Sequence, residues 1–396
     1  MEPLTRSLFI ALIATTVAAA GLAAQPLHQT ELIFPPESWH NHSSSVTELP
    51  NGDLFVSWFH GSGERQSDDV KIEGARWRKA SQSWSPRFEL ADTPGFPDTN
   101  CVVWLDSKKR LWLLWPTILA NTWESALMKY RISTDYSQAE GPPKWDWQDN
   151  ILLIPKRMEE RTKEVFEKEL KRPGPFGAWA ARMIGLAGDK QFTRLGWFSR
   201  THPIELPSGR ILVPLYSDGF SFGLMAISDD AGKSWHASEP IVGFGNIQPS
   251  VVRKKNGELV AYMRDNGPAP KRIMKSLSKD DGESWTPAED TDIFNPGTSV
   301  EAIVLRDGRW VMAYNDLEKG RGSLAISMSD DEGVTWKWKR NMQKGPGSYH
   351  YPSLIQAMDG NLHLTYSDFE PQDGKQLKAI RHVKFNTAWI ETGDSQ

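Results

Sequence analysis

Apolar and polar positions alternate along this chain in short runs, and the runs come in pairs. Each pair is an apolar stretch of strand length, a polar turn and a second apolar stretch, the signature of a β-hairpin. Six copies are present: 44–58 around Asn51-Gly52, 102–115 around Ser107-Lys108, 203–216 around Ser208-Gly209, 250–263 around Asn256-Gly257, 302–314 around Asp307-Gly308 and 353–366 around Asp359-Gly360. The turn glycines at 209, 257, 308 and 360 step by 48, 51 and 52 residues. A fixed period of that length belongs to repeat architectures.

A second motif keeps step with the first. The octets 228–235, 278–285 and 329–336 all read Ser-x-Asp-x-Gly-x-x-Trp, spaced 50 and 51 residues apart. Ser and Asp can bond the backbone of a tight turn, Gly supplies a positive φ, and Trp fills the apolar layer between units. The octets therefore predict structural turns. Degenerate copies occupy 80–84, which lacks Asp and Gly, and 133–145, which carries an insertion.

Six units of four short strands predict an all-β chain, a six-bladed β-propeller. Strands A and B flank the Gly turn, strand C runs into the octet, and strand D leaves its Trp. The last unit shows A, B and C (377–385) but no clear D, and the early segment 31–34 is expected to supply it and close the ring. One segment breaks the period. Residues 155–197 carry Met158, Val165, Phe166 and Leu170 at helical intervals, then Pro173-Gly174-Pro175, then a second helical stretch at 178–186. This helical insertion between blades 2 and 3 is a D-to-A connection, either a lid over the central pocket or a decoration at the rim.

Composition narrows the picture. The first 24 residues hold Arg6, an apolar run from 8 to 20 and small residues after it, which read as a signal peptide before a single domain at 25–396. A secreted or periplasmic protein is expected. The lone Cys101, beside Val102 and Val103, excludes an intrachain disulfide framework and reads as a buried small side chain. A net charge of −4 without a large basic block gives no support for nucleic-acid binding, and no stretch after the leader is apolar enough to span a membrane.

In a propeller the starts of strands A and the B-to-C loops converge on one face, while the octets lie on the other. The A-strand starts are His42, Asp98 with Asn100, His202, Gln248, Glu301, and His350 with Tyr351. The B-to-C loops add Glu64, Arg65, Asp68, Asp69, Trp123, Glu124, Asp218, Arg264, Asp265, Asn266, Asn315, Asp316, Arg321, Asp368 and Glu370. Such a dense ionisable set in a concavity is the default location for a site.

The octets resemble the Asp boxes of sialidases, and the chain resembles the bacterial BNR-repeat, sialidase-like proteins, most closely from Arg200-Thr201-His202-Pro203 to Tyr366-Ser367-Asp368. The resemblance implies roles position by position. Tyr351 falls at the nucleophile, Asp69 (or Asp68) at the acid/base, and Arg264 and Arg321 at two of three arginines that hold the substrate carboxylate. Two positions depart from the pattern: His42 stands where the third arginine is expected, and Gln248 where a glutamate would activate the tyrosine. Glu301 is the candidate replacement base. Asp218, His202 and Glu64 complete the expected substrate-binding set.

The chemistry fits an acidic sugar. A neutral tyrosine avoids the repulsion that a carboxylate nucleophile would meet at a carbon bearing a carboxylate, a known exception to the two-carboxylate glycosidase scheme. Arginine forks bind carboxylates through paired, charge-assisted bonds. Three readings stay open: an exo-glycosidase of the sialidase type acting on a glycan; a lyase or other uronate enzyme using His42, His202 or Tyr351 as base; and a glycan-binding propeller without catalysis. Many of the eighteen Trp residues remain free to stack on sugars. His40 and His42 lie two apart and His202 and His350 start inner strands, so a three-His site is conceivable, but isolated histidines serve more often as plain donors, and no metal or other cofactor is expected.

Overall fold

The computed structural model describes residues 24–138 and 140–394; the leader at 1–24 falls almost wholly outside them. Each repeat folds into one antiparallel sheet, giving six blades at 40–91, 102–150, 198–237, 246–294, 301–344 and 348–385. The sheets have four strands along their main path, and blades 1 and 3 add one short strand each. Among the described residues no helix is long and apolar enough to cross a membrane.

Inner strands of a ring expose unpaired backbone groups to their neighbours, and these must find partners. Three serines at equivalent positions provide them. The Oγ of Ser45 accepts the Val103 amide (3.1 Å), that of Ser250 accepts the Ala302 amide (2.9 Å), and that of Ser353 accepts the Val46 amide (3.1 Å). Blade 1 is thereby latched to blade 2, blade 4 to blade 5, and blade 6 to blade 1. The outer edge closes as expected. His28–Leu32 pairs antiparallel with the last strand of blade 6, Lys375–Phe385, with Glu31 opposite His382, and the Ile33 amide continues the ladder to the Ile380 carbonyl at 2.9 Å.

The octets form the turns their residues dictate. In the first, Ser228 Oγ accepts the Gly232 amide at 2.7 Å and Asp230 accepts the Ser234 amide at 2.9 Å; the third repeats this with Ser329, Gly333, Asp331 and Thr335. Glycine is required twice over. Gly232 and Gly333 have φ of 87° and 77°, and a Cβ would lie 2.1 Å from the Trp112 ring in one case and 2.3 Å from Tyr262 Oη in the other. Both contacts reach the preceding blade, so each octet also acts as an inter-blade plug.

The insertion forms helices Met158–Phe166, Pro175–Ala187 and Lys190–Arg194. The second begins at Pro175, earlier than the apolar spacing indicates, because proline's fixed φ suits the first helical position. Leu170, expected on the apolar face, is 44 % exposed, since the first helix stops at Phe166 and a single 3-10 turn follows. Met158, Phe166, Ala180 and Met183 are buried in a core shared with blades 2 and 3, and Arg157 and Arg161 pair with Glu239 beside blade 3.

Candidate functional site

The inner strands do not run unbroken past the axis. Pairing shifts between His42 and Ser45, between Ile247 and Ser250, and between His350 and Ser353. Ser43, Asn100, Gln248 and Tyr351 all have positive φ, between 39° and 58°. In blade 3 the inner strand splits into Phe198–Ser199 and Ile204–Glu205, with Arg200 and His202 in the gap. Bulges of this kind re-aim side chains, and strained backbone in non-glycine residues concentrates where function is built.

A cavity of about 460 Å³ opens above these interruptions, lined among others by His42, Glu64, Tyr216, Asp218, Gln248, Arg264, Arg321, His350 and Tyr351. The Tyr351 ring lies 4.5 Å from the His42 ring, which lies 5.1 Å from His350. Arg321 Nη1 meets His350 Nδ1, and the Arg321 Cζ is 5.9 Å from the centre of the Tyr351 ring. Beneath, Arg200 is fully buried with its Cζ 4.9 Å over the same ring.

Electrostatics divide the ionisable groups. Burial, then the neighbouring His350, His40 and arginines, hold His42 well below its ordinary value, so the ring is neutral; His350 is pushed down by burial and Arg321. Burial raises Asp218 to about 6, only partly offset by Arg264, with Glu124 adding to the rise. Glu64 goes the other way. Burial pushes it up, but the hydrogen bond to His40 (3.1 Å) and the charges of His40, Arg65 and Arg321 outweigh this, leaving it below the usual carboxylate range. The cavity therefore holds two carboxylates whose proton affinities are shifted in opposite directions.

Three expected residues lie elsewhere. Asp69 is exposed, outside the cavity lining, and accepts the Ser62 amide (3.2 Å) and hydroxyl (2.8 Å), so it ties its own loop together. His202 and Glu301 line a different cavity, of about 510 Å³, at the end of the tunnel where strands A finish. Glu301 accepts from the His202 amide and faces its Nδ1 at 2.8 Å, and its other oxygen accepts the Leu354 amide. His202 Nε2 faces the Val46 carbonyl at 2.9 Å. With acceptors at both ring nitrogens the ring carries two protons. The pair braces blades 1, 3, 5 and 6, and the larger cavity carries neither the tyrosine nor the paired arginines.

The comparisons with known proteins bear on the same features. Residues 179–364 match the family model described as a BNR repeat-like domain. An anhydrosialidase of Macrobdella decora is 26 % identical over 198 residues, covering 45 % of this chain and 26 % of that protein; a sialidase of Vibrio cholerae is 28 % identical over 177 residues, covering 36 % and 22 %. The chain thus matches about a quarter of these relatives' length. A leech intramolecular trans-sialidase structure superposes with a TM-score of 0.68 at 15 % identity, over 94 % of this chain and 72 % of that one.

Residues 179–364 thus carry a BNR repeat-like domain, on a propeller fold shared with sialidase structures.

This BNR-repeat propeller has site residues that the sequence did not single out. Tyr216 is the penultimate residue of strand B of blade 3, Ile211–Ser217, where apolar alternation reads it as core. Its Oη accepts from Asn100 and Gln248, both at 3.0 Å, and burial with the nearby Asp218 keeps it neutral. Gln248, at the expected glutamate position, therefore serves Tyr216. A Tyr-x-Asp pattern recurs at 216–218, 314–316 and 366–368, but Lys339 engages Asp316 and Arg381 engages Asp368, and only the blade 3 copy lines the cavity. Phe59 and Phe369 pack against His40 and His42 and form an apolar wall behind them. His40, His42 and Glu64 bring one potential ligand atom each to within 4.8 Å of one another.

Proposed function

We propose that this propeller releases a terminal acidic sugar, sialic acid or a relative, from a glycan outside the cytoplasm, by a retaining route through Tyr351. The observation that carries the reading is the meeting of Tyr351, Arg264 and Arg321 in one cavity with Asp218, whose proton affinity is raised to about 6. The two arginines pair with the substrate carboxylate and fix the anomeric carbon over Tyr351. Tyr351 Oη bonds to that carbon as the bond to the leaving oxygen breaks. Asp218 donates its proton to the leaving oxygen, and the phenol proton passes to water. In the second half Asp218, now a carboxylate, takes a proton from the water that displaces Tyr351, and the departing tyrosinate regains from solvent the proton it gave up in the first half. This assigns to Asp218 the role that the resemblance gives Asp69.

A glycan panel tests the reading with wild type, Tyr351→Phe and Arg264→Ala. Loss of turnover in both variants is expected, and full turnover in both sinks it. The neutral His42 ring beside Tyr351 favours a second reading, proton abstraction next to a uronate carboxylate. Elimination leaves a conjugated double bond, so a rise in ultraviolet absorbance separates lyase from hydrolase. Binding without any product selects a lectin-like propeller, the reading favoured by Gln248 in place of the expected glutamate.

A further inference from the structure

We infer that His40, His42 and Glu64 form a binding site for a divalent transition-metal ion of the zinc type, with an open coordination position facing the central cavity. His40 and His42 lie two apart on the inner strand of blade 1, before its bulge, and Glu64 comes from the B-to-C loop of the same blade. One ligand atom from each falls within 4.8 Å of the other two, and His40 Nε2 already meets Glu64 Oε1 at 3.1 Å. Two imidazoles and one carboxylate with a free fourth position is the donor set of an open zinc site.

The surroundings hold the ligands as such sites require. His42 Nδ1 meets Ser367 Oγ at 2.9 Å, and the same Oγ accepts the Ser43 amide at 3.0 Å. A Ser367-bound Nδ1–H leaves the Nε2 lone pair for a metal, the outer-shell arrangement that orients ligating histidines. Phe59 and Phe369 pack on both rings, with centroids 5.2 to 5.8 Å away, so neither imidazole swings freely. All three residues line the cavity, so the open position is accessible to substrate.

The ion has a role that the protein's own side chains leave vacant on this wall. Arg264 and Arg321 bring positive charge from blades 4 and 5, whereas blade 1 presents histidines. A divalent ion bound by one carboxylate carries a net +1, the charge of a guanidinium, and offers a third contact to a substrate carboxylate. That role, though not the site, rests on the acidic-sugar reading.

Calorimetric titration of the chelator-treated full chain with zinc chloride tests the site without substrate. One ion per chain is expected for wild type and for Tyr351→Phe, with binding weakened about 10-fold or more in His42→Ala and Glu64→Gln. Glu64 sits on a half-exposed loop, so Glu64→Gln keeps the inference testable if His42→Ala fails to fold. No binding by wild type, or equal binding by all four proteins, overturns the site and leaves the Tyr351 chemistry untouched. A Tyr351→Phe protein that keeps both zinc and turnover instead removes the functional reading and leaves the site.

Discussion

Arg200 lies face-on beneath Tyr351, its Cζ 4.9 Å from the ring centre, with its charge only partly compensated. Its Nη2 donates to the Pro352 carbonyl at 2.7 Å, while Nε and Nη1 have no acceptor among the described residues. Glu301 is engaged by His202 and Leu354. A buried cation of this kind is costly to the fold and favours negative charge above it. Arg200→Met is therefore expected to cost little stability, because the lost attraction to Glu301 is offset by relief of the buried charge, while turnover falls about 100-fold as the charge developing on Tyr351 loses its counterpart. A parallel fall in both quantities would argue for a purely structural arginine.

The His202–Glu301 brace gives stability a defined pH window. Burial lowers His202, but Glu301 and the Val46 carbonyl outweigh it, and the ring is held above 6.5. Its contribution is complete below that value and is lost as pH rises through the raised one. Burial raises Glu301, but His202 and Arg200 outweigh it, and the carboxyl is held below 4.5. Its contribution is complete above that value and is lost as pH falls through the lowered one. Glu301→Gln should cost about 3–5 kcal/mol, most visibly in thermal melts between the two values. A deficit that grows towards alkaline pH contradicts the assignment.

Asp218 sets the expected pH profile. With its carboxyl raised to about 6, it holds a proton below that pH and loses it above, so kcat/KM should decline as pH rises through about 6. Asp218→Asn should abolish that limb and most of the turnover on substrates with poor leaving groups. The same variant should melt higher than wild type at mildly alkaline pH, because the buried carboxylate is penalised there. A declining limb that persists in Asp218→Asn shifts the acid role to another group.

Two glycines separate backbone strain from packing. Gly360 has a φ of 88° and nothing within 4 Å of an added Cβ, whereas Gly333 has a φ of 77° and would drive that Cβ to 2.3 Å from Tyr262 Oη and 3.0 Å from the Trp310 ring. Gly360→Ala should cost about 1 kcal/mol. Gly333→Ala should cost about 3 kcal/mol or more, since the plug must also move. Chemical denaturation gives both values, and equal losses would show that the octet glycine serves its turn alone.

The first strand of the described chain closes the last blade. A chain beginning after Pro36 lacks the partner of Lys375–Phe385 and uncovers the Ile33 and Phe34 contacts with blade 1. Its melting temperature should drop sharply, and an unchanged melt would remove this closure from the account of the fold.

Much of this was legible in the chain. The serine, aspartate and glycine of each octet carry their turn within eight residues, so their geometry does not depend on distant partners. The spacing of the Gly turns counts the blades for the same reason. The position of Asp69 is not legible, because chain position selects a loop and not a direction: two carboxylates from one loop part ways, Glu64 inward to His40 and Asp69 onto Ser62. Glu301 reads as a spare base in the chain alone, whereas in the fold His202 and Leu354 from two other blades engage it.

The six-unit ring, its turns and the face on which ionisable groups gather are written in the chain, because they follow from local turn chemistry repeated at one period. Which of those groups share a cavity depends on long-range packing. Inner strands that are far apart in the chain meet at the axis, and their interruptions at Ser43, Asn100, Gln248 and Tyr351 rotate side chains out of simple alternation. The charge state of each group then follows from neighbours on other blades, as with Arg200 beneath Tyr351, and no local pattern records those neighbours.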